Sequence, residues 1–330
     1  MSEKVRLVSV GLGWWGNVLA NAAVAGGAEI VGGYSRTTET RETFAAKHGG
    51  RAFRSYEEIL EAPDVDGLLL ATPHSAHSDQ IVAAAAAGKH VFVEKPLTLT
   101  VASGKRAVSA AAEAGTVLQV GHQRRRQPAN RRLKELIDTA ELGAVVMIET
   151  QQSAPGALGF KPGYWRASRA ESPLGGMTSL GVHMIDTMTY LLGPIDRVFA
   201  LSKGILEEPP IDHATSIVFD FASGPIGYLG TSFVVPGNVS VTVRGTKGTA
   251  VNDKDGARFS IQTAQDPAPT EQPVESIDAI ADELDEFARA IRGEASPETG
   301  GAEGLEVVAV LETAIASSES GRAEAVADFR

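Results

Sequence analysis

The chain has 330 residues, 43% apolar and 22% charged, and no cysteine. This is the composition of a globular protein large enough for two domains, and it excludes disulfides, thiolate metal sites, iron–sulfur clusters and a cysteine nucleophile. With 30 Lys plus Arg against 41 Asp plus Glu, the net charge is −11, the wrong sign for nucleic acid or an anionic membrane, both of which need a basic footprint.

A strand-like run starts at Val5, and no apolar stretch reaches the roughly 18 residues of a membrane helix. The expectation is a cytoplasmic protein without signal peptide or membrane span. The run 5–10 breaks at Gly11-Leu12-Gly13-Trp14-Trp15-Gly16, and an alanine-rich helix is predicted over 17–25. In a strand–turn–helix context the three glycines of such a turn bind a dinucleotide. Gly11 makes the tight turn, Gly13 admits the pyrophosphate to the backbone, and Gly16 lets helix and strand pack, while the helix start holds the anion. The other reading is a turn of purely structural use.

A strand over 29–34 follows. About 20 residues past such glycines an acidic residue grips the ribose of NAD, and this chain has Ser35-Arg36-Thr37 instead. Hydroxyls and a guanidinium suit a 2′-phosphate, so NADP(H) is expected in preference to NAD(H); an Arg36 that only stacks on adenine would accept either. Helices over 39–47 and 56–61 come next, the second opened by a Ser55/Glu58 capping box. A buried strand over 66–71 ends at Thr72-Pro73-His74. These three are expected at the cofactor, with Thr72 and Pro73 walling the nicotinamide side. His77 reads as the start of a helix that runs through the alanines 83–87 and stops at Gly88. A strand over 90–93 leads into Glu94-Lys95-Pro96, followed by a helix over 101–114 and a strand over 117–120. Such alternation predicts a parallel, doubly wound sheet with ligands beyond the carboxyl ends of its strands. Gly11, Ser35, Thr72, Glu94 and Gly121 all follow strand ends and should converge on one crevice.

Past His122 the pattern changes. A helix over 128–139, a strand over 145–152, a long loop over 153–175 and a helix over 178–192 are followed by strands over 198–203, 214–221, 226–235, 239–245, 250–253 and 258–263. A linker over 266–273 and helices over 277–291 and 304–318 complete the chain. Strands without intervening helices predict an antiparallel or mixed sheet. The expected fold is α/β: a Rossmann domain over 1–122, then a second α/β domain over 123–330 with a large open, mainly antiparallel sheet.

Together with Gly11-Leu12-Gly13-Trp14-Trp15-Gly16, the tract Gly88-Lys89-His90-Val91-Phe92-Val93-Glu94-Lys95-Pro96 and the segment Gly181-Val182-His183-Met184-Ile185-Asp186 resemble the glucose–fructose oxidoreductase, inositol dehydrogenase and rhizopine-catabolism (Gfo/Idh/MocA) family of NAD(P)-dependent oxidoreductases. The likeness covers essentially the whole chain. It implies a dehydrogenase or reductase for sugars, polyols and related hydroxy or keto compounds, assembled as a homodimer or homotetramer through the open sheet of the second domain. It also implies Lys95 as the catalytic lysine, His183 as the histidine completing the catalytic group, and Asp186 as a binder of substrate hydroxyls. At one position the chain departs from the inositol-type pattern: four residues before the histidine stands Ser179, not aspartate.

Hydride transfer at a carbinol carbon requires a proton to leave or join the oxygen, and a lysine at a strand exit is suited to that work. Without the other motifs, Lys95 would read as a surface lysine before a helix. His183 and Asp186, three apart, share a helix face; the alternatives are a core or capping pair, or a metal site lacking a third ligand, and no metal is expected. Tyr164, Trp165 and Arg166 in the long loop, and Ser179, are candidate substrate contacts, and Arg124, Arg125 and Arg126 stand near the end of the last Rossmann strand. The bland alternative makes these arginines solvated or interfacial. Loss of a carboxylate at Ser179 favours an anionic substrate, such as a carboxylated ring compound. Two competing functions stand beside the dehydrogenase: a redox-silent NADP(H) sensor that works by interaction, and a lyase or glycosidase that uses the nicotinamide only transiently.

Overall fold

In a computed structural model, which describes residues 4–330, the first part of the chain alternates as expected. It runs β1 (Arg6–Val10), α1 (Trp14–Ala25), β2 (Glu29–Tyr34), α2 (Thr38–His48), β3 (Arg51–Phe53), α3 (Tyr56–Leu60), β4 (Gly67–Leu70), α4 (His77–Ala86), β5 (His90–Glu94), α5 (Val101–Glu113) and β6 (Leu118–Gly121). The six strands pair in parallel in the order β3-β2-β1-β4-β5-β6. Leu7, Val8 and Val10 of β1 and Leu68, Leu69 and Leu70 of β4 are wholly buried, as expected for a parallel sheet covered on both faces. Only β3 has no counterpart among the predicted elements. At α3 the Ser55 hydroxyl accepts from the Glu58 amide (3.1 Å), while the Glu58 carboxylate accepts from the Arg54 amide (2.7 Å), one residue before the cap.

The remainder comprises α6 (Pro128–Asp138), β7 (Val145–Ser153), a π turn (Met177–Gly181) leading into α7 (Val182–Leu192), β8 (Ile195–Lys203), β9 (Ala214–Phe221), β10 (Ile226–Ser232), β11 (Asn238–Gly245), β12 (Gly248–Asp253), β13 (Arg258–Thr263), β14 (Thr270–Gln272), α8 (Ala279–Ile291), α9 (Gly301–Ser320) and β15 (Glu324–Ala325). The nine strands form one sheet, β14-β13-β12-β11-β7-β10-β9-β8-β15, antiparallel except for the β7–β10 pair. Alternation is clean on β9, where Thr215, Ile217, Phe219 and Phe221 are buried and the residues between them exposed; one face is core and the other is not. The outer face carries a register row of Phe199, Val218 and Tyr228, all exposed.

The chain divides into two compact units, though not at a single boundary between 122 and 123. One unit runs to Gln123 and regains Asp278–Leu305; the other holds Arg124–Ile277 and Glu306–Arg330. The returning segment completes the first core. Leu284, Phe287 and Ala288 of α8 share a cluster with Leu12, Leu19, Ala23 and Phe92, and a fully buried Leu or Phe contributes about 1.5–3 kcal/mol. Lys89, despite lying in the tract before Lys95, is spent on the fold: its ammonium donates to the carbonyls of Ala62 (2.7 Å) and Val65 (2.9 Å). Burial pushes its pKa down, against the opposing pull of Asp66.

Candidate functional site

A parallel sheet places every strand's carboxyl end on one edge, and the glycine turn leaves β1 at that edge. Gly11 adopts φ +91°, and a Cβ on it would lie 2.4 Å from the Ala71 carbonyl oxygen just beyond β4; a Cβ on Gly16 would lie 2.0 Å from the Gly11 oxygen. Both glycines are required by the fold itself. Gly13 differs: its backbone is extended (φ −68°, ψ −170°), and a Cβ there would meet nothing within 4 Å. Gly13 caps α1, whose first turn carries no acidic residue. An open backbone face at an uncapped helix start fits the pyrophosphate of a dinucleotide.

The turn is braced from within the unit. The Asn17 amide donates to the carbonyls of Gly13 (3.0 Å) and Leu12 (3.3 Å), and its oxygen accepts from Lys47 (3.0 Å), with the His48 ring also at 3.0 Å. Burial, then the charge of Lys47, lowers the His48 pKa. Past β2, Arg41 donates to the carbonyls of Ser35 (3.2 Å) and Arg36 (3.4 Å) and to the Thr38 hydroxyl (2.9 Å), which shapes the 35–37 loop and leaves the Arg36 side chain exposed. Asn17 and Arg41 were not singled out from sequence, since an Asn or Arg inside a helix carries no positional signal. Of the tryptophans, Trp14 is 77% exposed, whereas Trp15 packs against the first core.

At the exit of β4, the Thr72 hydroxyl donates to Gln80 (2.6 Å), and Pro73 leads into a 3-10 turn opened by buried His74. At the exits of β5 and β6, Glu94 and Gly121 are register partners, and a Cβ on Gly121 would lie 2.9 Å from the buried Glu94 carboxylate. Half-buried Lys95 follows, joined to Pro96 by a cis peptide. The strand order reverses between β1 and β4, the switch point where ligands of such sheets bind. The structure therefore brings Gly11, Gly13, Ser35, Thr72, Glu94 and Lys95 to one edge.

The second unit holds the remaining candidates. Ser179 lies in the π turn, a helical irregularity common at functional sites, and buried His183 is in the first turn of α7. The structure does not leave Asp186 accessible: it is wholly buried, and Arg125 grips its carboxylate through Nε (2.9 and 3.0 Å) and Nη2 (2.7 Å). Arg124 is paired with Asp255, and the Arg125 and Arg131 guanidiniums lie 5.4 and 5.3 Å from the Tyr190 ring centroid. Arg124, Arg125 and Arg126 are buried rather than solvated. In the long loop, Arg166 lies over the Trp165 ring (4.1 Å) and donates to the Tyr164 hydroxyl (2.8 Å), while Phe160 connects Tyr164 to Phe233. The start of the loop is packed, where Ala157 and Phe160 join Ile211 and Phe233, while residues 161–164 and 168–170 are exposed. Among the described residues, no three His, Asp or Glu side chains gather as a metal set, and no helix is long and apolar enough to cross a membrane.

Residues 5–122 match the oxidoreductase family with an NAD-binding Rossmann fold, and residues 130–251 match the GFO/IDH/MocA C-terminal domain. The chain is 26% identical to the 1,5-anhydro-D-fructose reductase of Ensifer adhaerens over 91% of either protein. It is 29% identical to the rhizopine catabolism protein MocA of Rhizobium meliloti over 96% of this chain and 95% of that one. Among solved structures, a protein of Desulfitobacterium hafniense DCB-2, assigned as an NADPH-dependent oxidoreductase, superposes with a TM-score of 0.94 at 31% identity, covering 100% of this chain and 99% of that one.

Proposed function

The chain belongs to the Gfo/Idh/MocA family of NAD(P)-dependent oxidoreductases, and from that premise we propose that it moves a hydride between NADP(H) and a CH–OH carbon of a sugar or polyol, with Lys95 as general acid/base and His183 as its partner. The observation that carries this reading is the position of Lys95: the first residue past β5, on the sheet edge that also bears the open face of Gly13. When bound, the nicotinamide accepts or supplies the hydride. Lys95 takes the hydroxyl proton on oxidation and returns it on reduction. His183 lies in the other unit, and its role rests on the family likeness.

The 2′-phosphate of NADP(H) would be held by Arg36 with the hydroxyls of Ser35 and Thr37; no carboxylate stands among these three residues to repel it. Sugar-like substrates are favoured by the names of the relatives, one a 1,5-anhydro-D-fructose reductase. Arg124 and Arg125 are already matched by carboxylates, which weakens the case for an anionic substrate built on Ser179. The exposed row of Phe199, Val218 and Tyr228 supports a homo-oligomer formed through the sheet.

The test is nicotinamide absorbance with NADP(H) and NAD(H) against a panel of sugars, polyols, keto acids and carboxylated ring compounds, in both directions. The reading expects net redox on a neutral sugar or polyol, lost in Lys95→Ala. Turnover without net absorbance change would favour transient redox, and turnover retained in Lys95→Ala would reject the role of Lys95.

A further inference from the structure

His77 is the first residue of α4, yet its side chain is wholly buried. A polar residue at a helix start usually reaches solvent or a capping amide. This one reaches two carbonyls that leave different strands: Nδ1 is 3.1 Å from the Pro96 oxygen and Nε2 is 3.2 Å from the Thr72 oxygen. Carbonyl oxygens only accept, so each contact is a hydrogen bond when that ring nitrogen carries the proton. Gln80, one turn along the same face of α4, accepts from the Thr72 hydroxyl. The start of α4 thus meets the exit of β4 at both carbonyl and hydroxyl, and through His77 it also reaches the exit of β5. Pro96 has no amide hydrogen, which leaves its carbonyl as the only backbone hydrogen-bonding group of that residue.

We propose that His77 is a positioning residue for Lys95: through the Pro96 carbonyl, which opens the peptide to Leu97, it fixes the backbone immediately after Lys95 relative to the start of α4. This rests on the reading of Lys95 as the acid/base, and it gives a buried imidazole a task that fold stability alone does not require. Aim matters here, because a displacement of about 1 Å of a reacting group costs on the order of 100-fold in rate. His74, whose ring meets His77 edge-on at 5.9 Å, is the titratable neighbour on the preceding turn.

The two ring nitrogens can be tested separately, since an asparagine amide nitrogen substitutes for Nδ1 and a glutamine amide nitrogen for Nε2. Two readouts are compared in wild type, His77→Phe, His77→Asn and His77→Gln. One is kcat on the best sugar or polyol of the panel. The other, in the enzyme without cofactor, is the rate at which acetic anhydride acetylates Lys95, measured by mass spectrometry against exposed Lys105 as internal reference. The expected result is a fall in kcat of about tenfold or more in the Phe and Gln variants, with relative Lys95 acetylation changed at least about threefold. NADPH affinity should stay near wild type, and His77→Asn should restore both readouts. Asn and Gln variants behaving alike, or a Phe variant matching wild type, would overturn the inference, and the Asn/Gln pair decides it if the Phe variant does not fold. Should Lys95→Ala keep turnover, the acid/base reading and this inference fail together. If Lys95→Ala is impaired while the His77 variants are inert, only the inference fails.

Discussion

Replacing Gly13 by alanine separates what the fold needs from what the cofactor needs. The backbone at Gly13 is open to any residue, and the added methyl meets nothing within 4 Å. The stability terms are therefore local: a helix-start alanine is worse than glycine by a few tenths to about 1 kcal/mol, and a stiffer unfolded chain returns about 0.4–1 kcal/mol. They nearly cancel, so Tm should move by about 2 °C or less. A bound pyrophosphate would be pushed off the α1 amides, and each lost charge-assisted hydrogen bond is worth about 1.5–3 kcal/mol, or about 10- to 150-fold in Kd. Gly11→Ala and Gly16→Ala are the controls. Their methyls would stand 2.4 and 2.0 Å from carbonyl oxygens, and both should lower Tm without any ligand. NADPH fluorescence titration beside thermal unfolding reads all three variants. A Gly13→Ala protein that binds NADPH within about threefold of wild type, or unfolds as readily as the controls, would refute the assignment of the pyrophosphate to this turn.

Three other outcomes follow from the structure. Arg125→Met removes the guanidinium that grips the wholly buried Asp186 carboxylate and should cost about 3–5 kcal/mol in urea unfolding, while Arg125→Met with Asp186→Leu should cost much less; equal losses would show that the pair is not coupled. Arg36→Ala should weaken NADPH by about tenfold or more and leave NADH nearly unchanged in direct titration, and an unaltered NADPH/NADH ratio would count against the 2′-phosphate reading. Burial holds the His90 pKa below 6.5 against the opposing pull of Asp66, and its Nδ1 accepts from the Val117 amide (2.9 Å). The unfolded chain then takes up this proton first, so stability is lost as pH falls from 6.5 towards the lower folded value. His90→Asn keeps an acceptor for that amide and should flatten the decline of urea midpoints below about pH 6.5; an unchanged slope would assign the decline to other groups.

The strand exits were legible because β-branched and apolar runs ended in glycine, proline or polar punctuation, which sets Gly11, Thr72 and Lys95 on one edge from the sequence alone. Short elements were not: β3, β14 and β15 span 3, 3 and 2 residues, too few for a period to show. The π turn at 177–181 reads in sequence as helix, since one extra residue per turn leaves the apolar spacing almost intact. The arginines at 124–126 read equally as a substrate-binding cluster or as solvated or interfacial, because the partners of Arg125 and Arg124, Asp186 and Asp255, lie 61 and 131 residues away. His77 was legible as a helix start but not as a bridge, since its second carbonyl lies 19 residues further on. A helix over 277–291 was legible, but not which core receives it.

That last placement bears on how the molecule is made. A ribosome releases residue 123 long before residue 305, a delay of roughly 10–40 s at ordinary elongation rates. Through that interval the nascent nucleotide-binding sheet lacks the helix that supplies Leu284 and Phe287 to its interior. Its apolar surface stays uncovered while eight of the nine strands of the second sheet, β7 to β14, are being synthesised. The unit that begins the chain thus cannot close until the chain has passed through most of the other, and the newborn protein is exposed to chaperones and proteases through that interval.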